Sequence, residues 1–186
     1  MGRFDEGLRE QRRAQDLDPL SDLIHFGIGA NFLWSRQPER AIEQYRRVLE
    51  LNPNFRIAYW FLAEAYVEKG DFASAIATLE NAPIALNDPV TLSAAAYVYA
   101  KAGERHKALE ILSELQRLSS QEYEPAFHIA QIYLGLGDNE QAFAWLDKAC
   151  DERSVWLIWL GVDPKFDPLR SDPRFEELLK KIRFPH

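Results

Sequence analysis

The residues that could carry chemistry are few, and their spacing does not assemble a catalytic or metal site. The sequence has four histidines and one cysteine, and no histidine stands in a metal-binding pair such as HExxH. His25 is expected to pack in the core, and Cys150 is expected to be buried and inert. No Ser–His–Asp or Cys–His arrangement follows from the spacings. We therefore predict no enzyme activity, no metal and no cofactor.

Three aspartates near the C-terminus each precede a proline: Asp163, Asp167 and Asp172. They could form a carboxylate cluster, but aspartate caps the free amides of a helix and proline suits the first helical position. Each pair therefore predicts a helix start. Gly135 and Gly137 follow no strand, so they predict a turn between helices and not a nucleotide-binding loop.

Composition describes a folded protein without a basic surface. The 186 residues are 47% hydrophobic and 27% charged, and the formal net charge is −7. This acidity argues against nucleic-acid binding, which requires concentrated positive charge. The most apolar run, residues 155–160, is too short to span a membrane. A single cysteine allows no internal disulfide and is compatible with the reducing cytoplasm, where we place the protein.

Small and aromatic residues recur in one register along the chain. The small residue in the second helix of each unit is Gly7, Ala41, Ala75, Ala108 and Ala142, and the small residue in the first helix is Gly29, Ala63, Ala96 and Ala130. Three residues after the latter stands an aromatic: Phe32, Tyr66, Tyr99 and Tyr133. The glycine between the two helices is Gly70, Gly103 and Gly137, and Arg36 takes its place in the first full unit. The period is 33 or 34 residues.

This pattern predicts antiparallel helix pairs, because two helices approach closely only where their side chains are small. The glycine can adopt the left-handed conformation that ends the first helix of a pair. The predicted helices span residues 4–17, 22–35, 38–51, 55–69, 72–82, 89–102, 105–118, 123–136 and 139–151.

The columns resemble the signature of the tetratricopeptide repeat family, which runs W-x2-L-G-x2-Y, then A-x3-F, then A, then P. The first full unit matches it with His25, Ile28-Gly29, Phe32, Ala41, Tyr45, Val48 and Pro53. The resemblance covers about residues 2–154 and departs at the closing proline of later units, where Ser120 and Ser154 stand. It implies an all-α, right-handed superhelical solenoid of antiparallel helix pairs, with about four and a half repeats.

The predicted array occupies residues 1–154 and a C-terminal cap residues 155–186. The array consists of a half-unit at 2–21 and full units at 22–55, 56–88, 89–122 and 123–154. Residues 155–161 predict a short helix, and FEELLKKIR at 175–183 predicts a capping helix with acids first and bases last. Because the half-unit lacks its partner helix, we expect a longer natural protein or an artificial boundary at Met1.

In the family that the sequence resembles, the first helices of successive units line a concave groove. The groove positions here are apolar and aromatic with few polar groups, which suits a segment with large apolar side chains. The alternative is that these rings pack on each other or are covered by the chain's own tail. The predicted partner-binding residues are Phe26, Ala30, Trp34, Trp60, Glu64, Tyr97, Lys101, Phe127 and Gln131.

These observations favour a non-catalytic scaffold that binds a protein or peptide, including another domain of the same protein. The tail resembles the ends of tetratricopeptide regions in bacterial multidomain regulators, which implies the regulatory C-terminal part of a winged-helix activator or a serine/threonine kinase. The alternative is an assembly module that forms a homodimer through its exposed N-terminal half-unit. An enzyme is the least favoured interpretation, and no nucleic-acid or membrane partner is predicted.

Overall fold

The computed structural model describes residues 3–83, 89–118 and 125–182, and all regular structure in these ranges is helical. Two 3₁₀ segments, Val155–Trp159 and Pro164–Leu169, precede the last helix. The α-helices are α1 (Phe4–Leu17), α2 (Asp22–Trp34), α3 (Pro38–Leu51), α4 (Arg56–Lys69), α5 (Phe72–Glu80), α6 (Pro89–Lys101), α7 (Arg105–Leu118), α8 (Ala126–Gly135), α9 (Asn139–Asp151) and α10 (Pro173–Ile182).

The chain divides into two compact units, Met1–Ala85 and Leu86–His186. In the first unit, α2 packs against α3 and α4 against α5, while α1 packs on α2. In the second unit, α6 pairs with α7 and α8 with α9. The second 3₁₀ segment lies on α8 and α10 lies on α9, so the predicted cap is packed onto the last helix pair.

The helix positions confirm the repeat register. Every predicted helix is present with ends within two residues, apart from the start of α8, which is found at Ala126 beside the undescribed residues 119–124. The three turn glycines have φ of 77–86°. Arg36 replaces glycine in the first pair and takes the same left-handed conformation, with φ of 61°. The conformation is therefore imposed by the repeat and not by the residue type.

Two of the three aspartate–proline pairs begin a helical element. Asp163 accepts a hydrogen bond from the backbone N–H of Lys165 at 2.9 Å, and Asp172 accepts one from the N–H of Arg174 at 2.9 Å. The prediction for Asp167 is wrong, because Asp167 and Pro168 lie inside the second 3₁₀ segment. The Asp167 carboxylate instead pairs with Arg170 at 2.5 Å.

The contact between α2 and α3 explains why the small residue in the first helix of a pair is glycine at position 29 and alanine in the later repeats. A Cβ on Gly29 would lie 2.6 Å from Cε1 of Tyr45, which is fully buried. In the other helix pairs of the repeat, the corresponding residues are Ala63 with Leu79, Ala96 with Leu112 and Ala130 with Leu146. The tyrosine ring fills the space at its crossing, and we infer that leucine, which has no ring, leaves room for one methyl group.

The half-unit α1 presents a charged surface. No residue of α1 is fully buried, and the helix is held by its contact with α2, where Asn31 Nδ2 donates to the carbonyl oxygen of Phe4 at 3.0 Å. Its exposed residues are Asp5, Glu6, Arg9, Glu10, Arg12, Arg13, Asp16 and Leu17. A helix with this outer face is compatible with exposure to water.

Candidate interaction surface

Two stripes of side chains form what we call the α2–α4 face. Residues three or four apart lie on the same side of a helix, so Phe26, Ala30 and Trp34 share one face of α2. Ile57, Trp60 and Glu64 likewise share one face of α4. Helices α2 and α4 contact each other, and Phe26 and Trp34 of the first stripe both approach Phe61, the residue after Trp60 on α4. The face therefore combines five of the predicted binding residues with Ile57.

An aromatic cluster fixes one side of this face. The ring centroid of Phe26 lies 5.0 Å from that of Phe61 and 5.3 Å from that of Phe55. Tyr45 approaches Phe26 at 5.7 Å, and Trp34 approaches Phe61 at 6.4 Å. These separations are typical of stacked and edge-to-face aromatic pairs. Phe26 therefore anchors α2 to α3 and α4, as well as contributing to the surface.

His25 fixes the start of α2 beside this cluster. It is buried, and its Nε2 lies 3.1 Å from the carbonyl oxygen of Pro19, to which it can donate. Its Nδ1 lies 2.8 Å from the side-chain amide of Gln44 on α3. The histidine thus joins the preceding turn to α3, which confirms its prediction as a packed core group.

The α2–α4 face is partly open to solvent. Ile57 is 43% exposed, and Phe26, Trp34 and Trp60 are each half-buried. Ala30 and Glu64 are buried. The large apolar side chains of the face therefore remain partly accessible, while its smaller or polar residues are buried. Such a surface could bind an apolar side chain of a partner.

In the second unit, the chain's own tail covers the corresponding positions. Tyr97 and Phe127 are 3% and 1% exposed, respectively. The ring of Phe166, in the second 3₁₀ segment, lies 5.6 Å from that of Phe127. The ammonium group of Lys165 lies 5.6 Å from the centre of the Tyr97 ring. Of the two other residues predicted for this unit, Gln131 is buried and Lys101 is exposed.

Buried side chains and an ion pair hold the tail in place. Phe166 and Leu169 are fully buried against α8 and α9. Lys165 is buried and pairs with the Asp163 carboxylate at 3.2 Å. The cap therefore completes the core of the second unit and also covers part of the predicted binding surface.

Salt bridges fasten α10 to α9. Arg174 donates two hydrogen bonds to Glu140, at 2.8 and 2.9 Å, and also bonds to Asp172. These bonds lower the pKa of both carboxyl groups and raise the pKa of Arg174. Lys181 pairs with Asp147 at 2.6 Å, which attaches the far end of α10 to the same helix.

Histidine, cysteine and carboxylate side chains are the candidates for metal binding or nucleophilic chemistry. Among residues 3–83, 89–118 and 125–182, no group of three His, Cys, Asp or Glu side chains could hold a metal ion. Cys150 is half-buried, and burial raises the pKa of its thiol, so the reactive thiolate is disfavoured. No helix in the described part of the chain is long and apolar enough to cross a membrane.

Sequence reasoning missed the aromatic residues that support the surface. Phe55 and Phe61 pack against Phe26 but lie outside the groove positions that the repeat register assigns. Phe166 covers Phe127 from a segment beyond the repeat lattice. The closeness of Phe61 to Trp60 in sequence, and the apolar residues of the tail, were the available signals.

Repeated helix pairs with small residues at each crossing define an all-α helical repeat protein. Two sequence models described as tetratricopeptide repeat match residues 33–101 and 123–154, which together are more than half of the chain. The chain belongs to the tetratricopeptide repeat family. Proteins of this family are generally non-catalytic scaffolds for protein–protein interaction.

Solved structures with the same fold include TTC0263, a thermophilic tetratricopeptide repeat protein of Thermus thermophilus. It is 24% identical, with a TM-score of 0.65 over 96% of this chain and 92% of that chain. A crystal structure of MamA is 24% identical, with a TM-score of 0.55 over 81% of this chain and 88% of that chain.

A structure with lower sequence identity is the APC/C hetero-tetramer Cut9–Hcn1. It is 15% identical, with a TM-score of 0.61 over 98% of this chain and 40% of that chain. These similarities show the fold. A search of curated proteins found no match.

Proposed function

We propose that this protein is a non-catalytic scaffold that binds a peptide or a domain of another protein on the α2–α4 face. The observation that carries the proposal is the partial exposure of Ile57 and Trp60, one turn apart on α4, beside the aromatic cluster around Phe26. Tryptophan supplies large apolar contact area and is enriched among the residues that dominate binding energy. The expected ligand is a segment with large apolar side chains.

The binding role predicted for Tyr97 and Phe127 depends on the tail. Both side chains are buried, and Phe166 lies on Phe127. A partner could reach them only after residues 155–169 had moved away. The proposal is therefore centred on the half-buried Phe26, Trp34 and Trp60. The buried Ala30 and Glu64 lie on the same helix faces, and Lys101 and Gln131 remain predictions for the second unit.

The cellular setting is a further part of the proposal. The resemblance of the tail to bacterial regulators supports a role as the regulatory part of a larger bacterial protein, and the single cysteine supports a cytoplasmic location. All the exposed residues of α1 except Leu17 are charged, so we do not place self-assembly on that helix face.

Selection of short random peptides on the immobilised protein tests the proposal. We expect the selected peptides to carry large apolar residues, and Trp60→Ala to weaken their affinity by about 2 kcal/mol or more, because truncation of a central tryptophan removes a binding anchor. The affinities are measured by calorimetry.

The matched control is Phe72→Ala, which removes another aromatic ring, one that is 37% exposed on α5 and lies outside the face. It should leave the affinity unchanged. If wild type and Trp60→Ala are both folded and bind the peptide equally well, the α2–α4 face is not the binding site.

A further inference from the structure

The chain's own tail shows which kind of segment a helix face of this repeat can hold. Residues 163–169, which we call the DPKFDPL segment, include the second 3₁₀ segment, which lies on α8. Asp167 and Pro168 are exposed. The other five residues of the segment are buried: Asp163, Pro164, Lys165, Phe166 and Leu169. These buried side chains are the ones that a separate ligand of the same kind would present.

Two adjacent residues of the DPKFDPL segment contact predicted groove positions on two neighbouring helices. The ring of Phe166 lies 5.6 Å from that of Phe127 on α8, and the ammonium group of Lys165 lies 5.6 Å from the centre of the Tyr97 ring on α6. A cation within about 6 Å of a ring centre is attracted to the aromatic face. Leu169 follows Phe166 by three residues, and residues three apart are eclipsed in a 3₁₀ helix. The bound pattern is therefore a lysine, an aromatic residue, two exposed residues and a leucine.

The α2–α4 face corresponds in the repeat register to the surface that the DPKFDPL segment covers. A shift of 67 residues relates α2 to α6 and α4 to α8. The same shift places Ala30 in the column of Tyr97 and Trp60 in the column of Phe127. Phe127 is 1% exposed beneath Phe166, whereas Trp60 is only half-buried. The first unit therefore leaves accessible the aromatic position that the tail covers in the second.

The charge of the α2–α4 face favours a basic side chain in the ligand. Glu64 stands in the column of Gln131, so a buried carboxylate replaces a neutral amide one turn after Trp60. Glu68 adds a second carboxylate one turn further along α4. Arg36 contributes one positive charge beyond the end of α2, where it donates to the carbonyl oxygen of Trp34. These three side chains together leave a net negative charge, which complements a lysine or arginine of a partner.

We propose that the α2–α4 face binds a segment of another protein built like the DPKFDPL segment: a lysine or arginine, then an aromatic residue, then a leucine three residues further on. The aromatic ring packs on Trp60 as Phe166 packs on Phe127, and the basic side chain lies beside Glu64. This ligand refines the proposed function and rests on it, because it occupies the same face. The cap stays in place, since a segment within the chain has a high effective concentration at its own site.

A synthetic peptide of residues 161–171, titrated into the full chain and followed by calorimetry, tests the proposal. We expect a Kd of roughly 10–500 μM, because a short free segment must be ordered when it binds. Phe166→Ala within the peptide should weaken binding by about tenfold or more, since it removes the aromatic anchor. Asp167→Asn within the peptide is the matched control, at an exposed position where asparagine can still accept the hydrogen bond from Arg170. It should leave the affinity unchanged.

Variants of the protein, first shown by circular dichroism to fold, locate the bound peptide. Trp60→Ala should weaken binding by about tenfold or more, whereas Phe72→Ala, outside the face, should not. Glu64→Gln introduces the residue that the second unit has in this column, and it should weaken binding by about threefold or more. It should have no effect on a peptide with Lys165→Met, because that peptide lacks the charge that Glu64 attracts. An equal effect of Glu64→Gln on both peptides would contradict the role given to the lysine.

The peptides selected for the proposed function separate its failure from the failure of this inference. If those peptides bind the α2–α4 face, but the 161–171 peptide neither binds at up to about 2 mM nor displaces them, the inference is overturned and the proposed function stands. If no peptide binds the face, both are overturned. Equal binding of the 161–171 peptide by wild type and Trp60→Ala also overturns the inference. So does faster hydrogen–deuterium exchange in residues 155–169, which would show that the peptide displaces the chain's own tail. A dimer of the free protein that the peptide dissociates would assign the face to the tail of a second copy and overturn the assignment to another protein.

Discussion

At the scale of single residues, side-chain size at the helix crossings decides which residue each position accepts. Gly29 lies against the ring of Tyr45, whereas the equivalent positions of the other repeats are alanine and leucine. The sequence shows the column of small residues, but only the contact explains the glycine. The same α2 helix contains a second glycine, Gly27, whose missing Cβ faces the end of the flexible Gln11 side chain.

We predict that Gly29→Ala destabilises the protein by roughly 1–3 kcal/mol, because the added methyl group would overlap Tyr45 in a closely packed crossing. The free energy of unfolding is measured by chemical denaturation. Gly27→Ala is the control on the same helix. It should be neutral or stabilising by up to about 1 kcal/mol, since alanine favours the helix and Gln11 can move aside. Equal effects of the two substitutions would contradict this account of the crossing.

A second residue-scale prediction concerns the turn of the first pair. Arg36 has φ of 61°, a conformation that costs an L-residue roughly 1–2 kcal/mol and glycine much less. Arg36→Gly should therefore stabilise the protein by up to about 1 kcal/mol, after allowance for the greater chain entropy of unfolded glycine. The midpoint of thermal unfolding reports the change.

The reverse substitution provides the control for Arg36→Gly. Gly70 has φ of 82°, and a Cβ there would meet no atom within 4 Å. Gly70→Ala should thus lose stability through backbone strain alone. If Gly70→Ala raises the midpoint of thermal unfolding, or Arg36→Gly lowers it, the strain of the left-handed turn does not determine stability at that position.

At the scale of elements, α10 is held to α9 by ion pairs whose strength depends on pH. Hydrogen bonds from Arg174 lower the pKa of Glu140 from its ordinary 4.5 and that of Asp172 from 3.8. Because each pKa is lower in the folded protein than in the unfolded chain, the stabilisation is complete above the ordinary value. It is lost as the pH falls through the lowered values, where the carboxylates become protonated.

We therefore predict that Arg174→Met lowers the unfolding midpoint at pH 7 and that its difference from the wild type shrinks at about pH 2. Lys180→Met, at an exposed position of the same helix, controls for the loss of one positive charge. Its difference from the wild type should change less with pH. A difference for Arg174→Met that is the same at both pH values would show that Glu140 and Asp172 do not contribute through Arg174.

The elements also show how far the sequence could predict the structure. The helices were predictable because the small residues, the aromatic column and the turn glycines recur with a fixed period, so each unit supports the assignment of the next. The role of Phe166 was not predictable, since the tail lies outside that period and its contact with Phe127 is between residues distant in sequence. The repeat register indicated which residues face the predicted groove, but not that the chain's own tail covers two of them.

At the scale of the whole molecule, the two units differ in how exposed the predicted binding residues are. In the first unit, the α2–α4 face keeps Ile57, Trp60 and Trp34 at least partly accessible. In the second unit, residues 155–169 occupy the equivalent place as part of the core. The central prediction is therefore that an apolar ligand binds to the first unit and leaves the cap closed.

Hydrogen–deuterium exchange of the wild-type chain, with and without a peptide selected as described above, tests this prediction most directly. We predict slower exchange in α2 and α4 when the peptide is bound, because binding stabilises the elements it contacts against local opening. Exchange in α8 and in residues 155–169 should stay unchanged. Protection confined to α8, or faster exchange in residues 155–169 on binding, would contradict the account and place the ligand on the surface that the tail covers.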